Sequence, residues 1–221
     1  MSWPCQAAVT FTVLALPCLV LYTGGGAERW DSARPTRPRG FAASLREEIA
    51  SASAVGSGRR SLVIGLCGGI SSGKSTVRES LRRLGAATVD ADALGHHSYA
   101  QGTDGFSLVR DAFEALAAAE GLGPLVDTAT GDIDRAVLGA LVLDGAHPER
   151  LDTLNRILWP ILGERVAREV LDRVAAGAPL VVVEAAVLLE AGWADLFDEV
   201  WAVDVDEATA LQRLVARGER R

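Results

Sequence analysis

SLVIGLCGGISSGKST, residues 61–76, is the stretch from which the rest of the chain takes its meaning. Ser61 to Cys67 is a short apolar run suited to a buried strand. Gly68-Gly69-Ile70-Ser71-Ser72-Gly73-Lys74-Ser75 then leads into a helical pattern over Thr76 to Leu84. This is G-x-x-x-x-G-K-[ST] in the strand, loop and helix setting that makes it a phosphate site. A glycine-rich turn lets successive backbone N–H groups converge on an anion, and the following helix adds the positive end of its dipole. In such a loop Gly68 to Thr76 form the cradle. Lys74 reaches the β- and γ-phosphates of ATP, and the Ser75 hydroxyl ligates the accompanying Mg2+. The competing reading is a glycine-rich turn carrying a surface lysine, and the strand before it and the helix after it weigh against that.

The 221 residues suffice for one sizeable core behind an extension. Nearly half the residues are hydrophobic, which is a globular composition. A formal net charge of −7 argues against nucleic acid held on a broad basic face. Lys74 is the sole lysine; every other cationic side chain of fixed charge is arginine. Cys5, Cys18 and Cys67 lack metal-ligand spacing, and Cys67 at the end of an apolar strand reads as packing. His96, His97 and His147 form no ligand pair and read as solvated.

Residues 1–27 carry no charged side chain, and Val9 to Tyr22 is apolar apart from Thr10, Thr12 and Pro17. The run is short for a membrane span and suits a signal core or a membrane-contacting segment. Arg29, Arg34, Arg37, Arg39 and Arg46 follow with few acids among them, as in an organelle transit segment. Residues 1–58 are therefore expected to be an extension, with the folded domain at 59–221. The expected location is the cytoplasm, or a mitochondrion or plastid if the extension is a targeting sequence.

Within the domain, residues 86–90 form a second strand ending at Asp90-Ala91-Asp92. Ligands of parallel α/β sheets gather at the carboxyl ends of strands, so both acids are placed for chemistry, one of them as cap of a helix expected from Ala93. Helices are expected over 106–119, 135–143 and 149–175, the last interrupted at Pro160, with a turn at Gly131-Asp132. This helical block, 93–176, is too long for a simple crossover and reads as an inserted substrate-binding subdomain. Residues 179–184 form a central strand whose last residue, Glu184, suits a position that organises magnesium, although a capping or ion-paired Glu fits nearly as well. Val187, Leu188, Leu189, Trp193 and Phe197 read as core. A strand at 200–204 and a helix at 207–217 follow, with Arg213 and Arg217 one turn apart, either solvated or aimed at a transferring phosphoryl group.

Taken together, GLCGGISSGKSTV (65–77), VDADALGHHSY (89–99), GDIDRAVLG (131–139), ILWPIL (157–162), VVVEAAVLLEAGW (181–193) and DEVWAVDVDEATALQRLVAR (198–217) resemble the dephospho-CoA kinase family. The wording at 157–160 and 185–193 is nearest to the kinase half of the animal-type bifunctional CoA synthase. The resemblance implies a P-loop kinase fold, with a parallel sheet flanked by helices and a helical insert. It also implies phosphorylation of the ribose 3'-hydroxyl of dephospho-CoA by Mg-ATP, with ATP and dephospho-CoA as the small-molecule partners. On that pattern Asp92 is the general base, Lys74 and the loop amides hold the phosphates, and Ser75 with Glu184 serves the metal. Arg213 and Arg217 neutralise charge on the far side. Two departures stand out. Ser71 replaces a glycine, and its Cβ would crowd the loop if the position needs a positive φ. The chain also stops at Arg221, where the family continues with a lid, a strand and a helix, which would leave strand 200–204 as a sheet edge. The alternative reading is a non-catalytic, ATP-binding or partner-binding remnant. A kinase for another small acceptor is disfavoured by the family-specific wording at 89–99 and 181–193.

Overall fold

The computed structural model describes residues 19–20, 46–49, 51, 60–95 and 97–218, with the side chains of Leu19, Val20 and Arg217 excepted. The remainder of the extension, with the apolar run Val9–Tyr22 apart from Leu19–Val20, lies outside the described residues, as does His96. Among the described residues no helix is long and apolar enough to cross a membrane.

The chain divides into two compact units. One comprises residues up to Asp90 together with Val166–Arg221, and the other is Ala91–Arg165. The first is built on a five-stranded sheet ordered β1-β5-β2-β4-β3. Its strands are β1 (Leu19–Val20), β2 (Leu62–Gly68), β3 (Ala87–Asp90), β4 (Leu180–Glu184) and β5 (Glu199–Val203). β2, β3, β4 and β5 are parallel, and β1 runs antiparallel to β5. β2 and β4 occupy the middle, so past the exposed Leu62 and the partly exposed Leu180 at their starts, β2 as far as Cys67 and β4 as far as Glu184 are buried on both faces. That is why LVIGLC and LVVV are unbroken apolar runs. Helix α1 (Lys74–Arg83) follows the loop, and its Val77 joins Leu66, Ala86, Val182 and Val203 in one core cluster.

The extension contributes to this unit in a way its sequence does not announce. β1 covers the side of β5 that was expected to be an open edge, with Leu19 opposite Val203 and Val20 opposite Ala202. Residues 46–49 are helical. Ile49 is buried, and Arg46 donates from Nη1 to the carbonyls of Asp195, at 3.1 Å, and of Phe197.

The second unit is helical: α2 (Ala91–Gly95), α3 (Asp104–Ala119), α4 (Arg135–Val142) and the first part of α5 (Pro148–Ala175). Thr103 caps α3 by accepting from the Phe106 N–H, and Asp134 caps α4 by accepting from Ala136 and Val137. Its core is Val109, Phe113, Ala117, Leu125, Ile133, Leu138, Leu141 and Val142. Between α3 and α4 the Asp127 carboxylate accepts from Ala129 and Thr130, which holds it below the usual carboxylate range and sets the turn through Gly131.

Three sequence expectations are corrected. The helix expected from Ala93 starts at Ala91, so Asp92 lies inside its first turn rather than before it. The interruption at Pro160 is absent: α5 runs through it for 28 residues. The lost N–H removes one internal hydrogen bond. Leu151, Leu154, Ile157 and Leu158 before it pack on the helical core, while Val166, Val170 and Val174 after it are buried, and this packing keeps the helix continuous. Leu189, read as core, is 39% exposed, whereas Leu188, Trp193 and Phe197 are buried as expected.

Candidate nucleotide site

The loop between β2 and α1 takes its shape from backbone conformations that few residues tolerate. Gly68 has φ 148°, and a Cβ there would come within 2.2 Å of the Val203 carbonyl oxygen on β5. Gly73 has φ 106° and occupies the N-cap of α1, where no side chain caps the helix and no acid lies in the first turn. An uncapped helix start with no acid in its own first turn favours an anion. Ser71, at φ 59°, is the non-glycine residue with positive φ among the described residues, so the position that usually carries glycine does require the left-handed conformation. Ser71 and Ser72 are buried, and neither hydroxyl has a hydrogen-bond partner. Gly69 and Ile70 are exposed at the tip.

The charged groups around the loop are tied to it at short range. Lys74 Nζ donates to the carbonyls of Gly68 at 2.7 Å and Gly69 at 2.9 Å, folding the side chain back over the cradle. Ser75 Oγ donates to Glu184 Oε1 at 2.9 Å. Glu184, the last residue of β4, is 5% exposed. In the sheet register it stands beside Leu66 on one side and Asp90 on the other. Arg213 on helix α6 (Glu207–Gly218) donates from Nη1 to the carbonyls of Ser71, at 3.2 Å, and Ser72, at 2.9 Å. At the start of α6, Asp206 accepts from the N–H and hydroxyl of Thr209, which keeps its carboxyl below the usual range. Cys67, just before the loop, is buried; burial pushes its thiol up, Glu190 adds to the rise, and Lys74 opposes it.

The sheet unit thus brings together Gly68 to Thr76, Glu184 and Arg213. Arg217 lies one helical turn beyond Arg213, and its side chain is outside the described residues. Asp92 is an exposed residue of the helical unit, two positions past the end of β3. Sequence reasoning missed Arg78. This residue of α1 forms ion pairs with Asp90 through Nη1 and with Glu184 through Nε, the latter at 3.0 Å. Its spacing of four from Lys74 was the available signal, because it returns the chain to the same side of the helix.

For a divalent cation the donor set is an exposed hydroxyl and a buried carboxylate, both hard oxygens. Among the described residues no group of three or more His, Cys, Asp or Glu could hold a metal. A hydroxyl and a carboxylate fit Mg2+, which is commonly bound by one or two protein oxygens plus substrate phosphates and water.

Comparison with known proteins agrees with this geometry. Residues 62–220 match the family described as dephospho-CoA kinase. A dephospho-CoA kinase of Symbiobacterium thermophilum is 42% identical over 156 residues, covering 70% of this chain and 60% of that protein. One from Geobacter sulfurreducens is 38% identical, covering 70% and 73%. The crystal structure of TT1252 from Thermus thermophilus, 31% identical, superposes with a TM-score of 0.53 over 72% of this chain and 73% of that one.

Proposed function

The chain belongs to the dephospho-CoA kinase family, and from that premise we propose that it transfers the γ-phosphoryl group of ATP to the ribose 3'-hydroxyl of dephospho-CoA, giving coenzyme A and ADP. The observation that carries the reading is the loop itself: Ser75 on Glu184, Lys74 folded over the cradle and Gly73 at an uncapped helix start, all inside the segment that matches the family.

In this reaction the acceptor oxygen bonds to the γ-phosphorus as the bond from that phosphorus to the β,γ-bridging oxygen breaks, and ADP leaves with the electron pair. Such transfers depend on positioning and charge stabilisation more than on covalent help from the protein. Lys74 exchanges its two carbonyl partners for phosphate oxygens, and the loop amides hold the β-phosphate. Mg2+ bound with ATP would draw on Ser75 and Glu184 and neutralise charge on the phosphates. Arg213, by fixing the carbonyls of Ser71 and Ser72, keeps the loop in its strained form and adds positive charge beside it. Asp92 is assigned the acceptor proton on the strength of its place in the VDAD match, and Arg217 a share of charge neutralisation on the strength of its place one turn from Arg213.

The test is a coupled ADP-release assay with Mg-ATP, with and without dephospho-CoA, the product being identified by mass. ADP release should require dephospho-CoA and fall on the order of 10²–10⁴-fold in Asp92→Asn, the range for losing a general base. Equal release without dephospho-CoA, or faster release with a nucleoside monophosphate as acceptor, would overturn the assignment.

A further inference from the structure

Asp90 and Glu184 end neighbouring parallel strands in register, so two carboxylates stand side by side at the rim of the sheet. Like charges on adjacent strand ends repel, and more so where one is buried: Glu184 is 5% exposed, while the Asp90 side chain is 37% exposed. The guanidinium of Arg78 meets both of them. Nη1 pairs with Asp90 Oδ2, and Nε lies 3.0 Å from Glu184 Oε2. The other oxygen of Glu184 accepts from Ser75 Oγ at 2.9 Å. The result is a continuous chain, Asp90–Arg78–Glu184–Ser75, joining the ends of β3 and β4 to the first turns of α1.

We propose that Arg78 is the positioning residue of the magnesium-organising pair Ser75 and Glu184: by bridging Asp90 and Glu184 it offsets the repulsion between them and turns Glu184 Oε1 toward Ser75. The role follows from geometry. A planar guanidinium can face two carboxylates at once, here donating to Asp90 and pairing with Glu184 Oε2 by charge without hydrogen-bond geometry, which an ammonium on a flexible stem does less well. The arginine side chain is 24% exposed, so its charge is only partly screened by solvent. One edge of Glu184 is thereby committed to Arg78 and the other left to the hydroxyl and to a cation carried in with ATP. Side chains that orient a ligating carboxylate in this way matter to metal affinity nearly as much as the ligand does. The inference rests on the Mg-ATP reading of the site.

Calorimetric titration of the full chain with ATP, in the presence of Mg2+ and again in excess EDTA, gives a readout that does not depend on turnover. In the wild type Mg2+ should tighten ATP binding. In Arg78→Ala that increment should shrink by about ten- to hundredfold, the usual cost of removing an outer partner of a metal ligand, while binding in EDTA changes little. Arg78→Lys should recover part of it. The diagnostic is the double variant Arg78→Ala/Asp90→Asn: removing the neighbouring negative charge should restore part of the increment, which loss of a merely structural arginine would not allow. An Arg78→Ala chain with an unchanged Mg2+ increment overturns the proposal. So does a double variant no better than Arg78→Ala, provided Arg78→Lys, which retains the charge, is folded and binds ATP in EDTA. A folded wild type that binds no ATP in either condition overturns the nucleotide reading itself, and this inference with it.

Discussion

The sheet unit and the helical unit satisfy their polar groups in opposite ways. In the helical unit most polar side chains of the turns act locally: Thr103 and Asp134 cap the helices that follow them and Asp127 closes its own turn, while Asp132 accepts from the Gln101 N–H 31 positions away. Beneath these caps lies an apolar cluster around Phe113. In the sheet unit, polar groups at the carboxyl rim reach across the sequence, Ser75 to Glu184 over 109 positions and Arg213 to Ser72 over 141. The same rim holds a serine at φ 59° and two buried hydroxyls without partners. The helical unit has one comparable atom among the described residues, Oε2 of Glu114. Local capping is what stability asks of a chain, whereas a strained loop with unsatisfied donors is what a ligand site retains.

The sharpest way to break that contrast is to damage each unit separately. Phe113 is 1% exposed at the centre of the helical cluster, and Phe113→Ala should cost about 3–5 kcal/mol of unfolding free energy. Chemical denaturation measures this, and ATP affinity of the protein that remains folded should be little changed. A large loss of ATP affinity in that variant would mean that the helical cluster supports the loop. Lys74→Ala should do the reverse. Its Nζ contacts only two loop carbonyls, so the denaturation midpoint should hardly move, while turnover falls on the order of 10²–10³-fold, as when a positioned donor to transition-state charge is removed. A variant that retained turnover would remove Lys74 from the chemistry.

How far the sequence was legible follows the same division. β2 and β4 could be read because central parallel strands must be apolar on both faces, and the loop could be read because its glycines answer a backbone requirement. α3 and α4 could be read from helical period, and α4 also from the turn at Gly131-Asp132 before it. Arg78 was legible only in part: its spacing of four from Lys74 puts it on the same side of the helix, but its partners emerge only when the register of β3 and β4 sets Asp90 beside Glu184. Strand register is a tertiary property that no local pattern encodes. Pro160 misled for a related reason: the local rule ends a helix there, and packing of the turns on either side overrides it. The two-residue strand β1 lies within an apolar run whose composition suits targeting as well as pairing.

The smallest effect is the most informative about why the loop is strained. Ser71 pays for a left-handed backbone, roughly 1–2 kcal/mol for a residue with a Cβ, and also buries a hydroxyl with no partner. Ser71→Gly removes both costs but returns conformational entropy to the unfolded chain, about 0.4–1 kcal/mol, so the net gain in stability should be at least about 1 kcal/mol. Thermal unfolding without nucleotide measures it. The Arg213 contact is to the Ser71 carbonyl and survives the change, so a change in ATP affinity reports on the hydroxyl and the freed backbone, which Ser71→Ala, keeping the Cβ, separates. A stabler variant with unchanged affinity makes Ser71 a tolerated departure from glycine. A stabler variant that binds ATP more weakly, with Ser71→Ala weakened alike, makes the hydroxyl a phosphate donor, held unpaired until the nucleotide arrives. Loss of stability would contradict both and place the strain elsewhere in the loop.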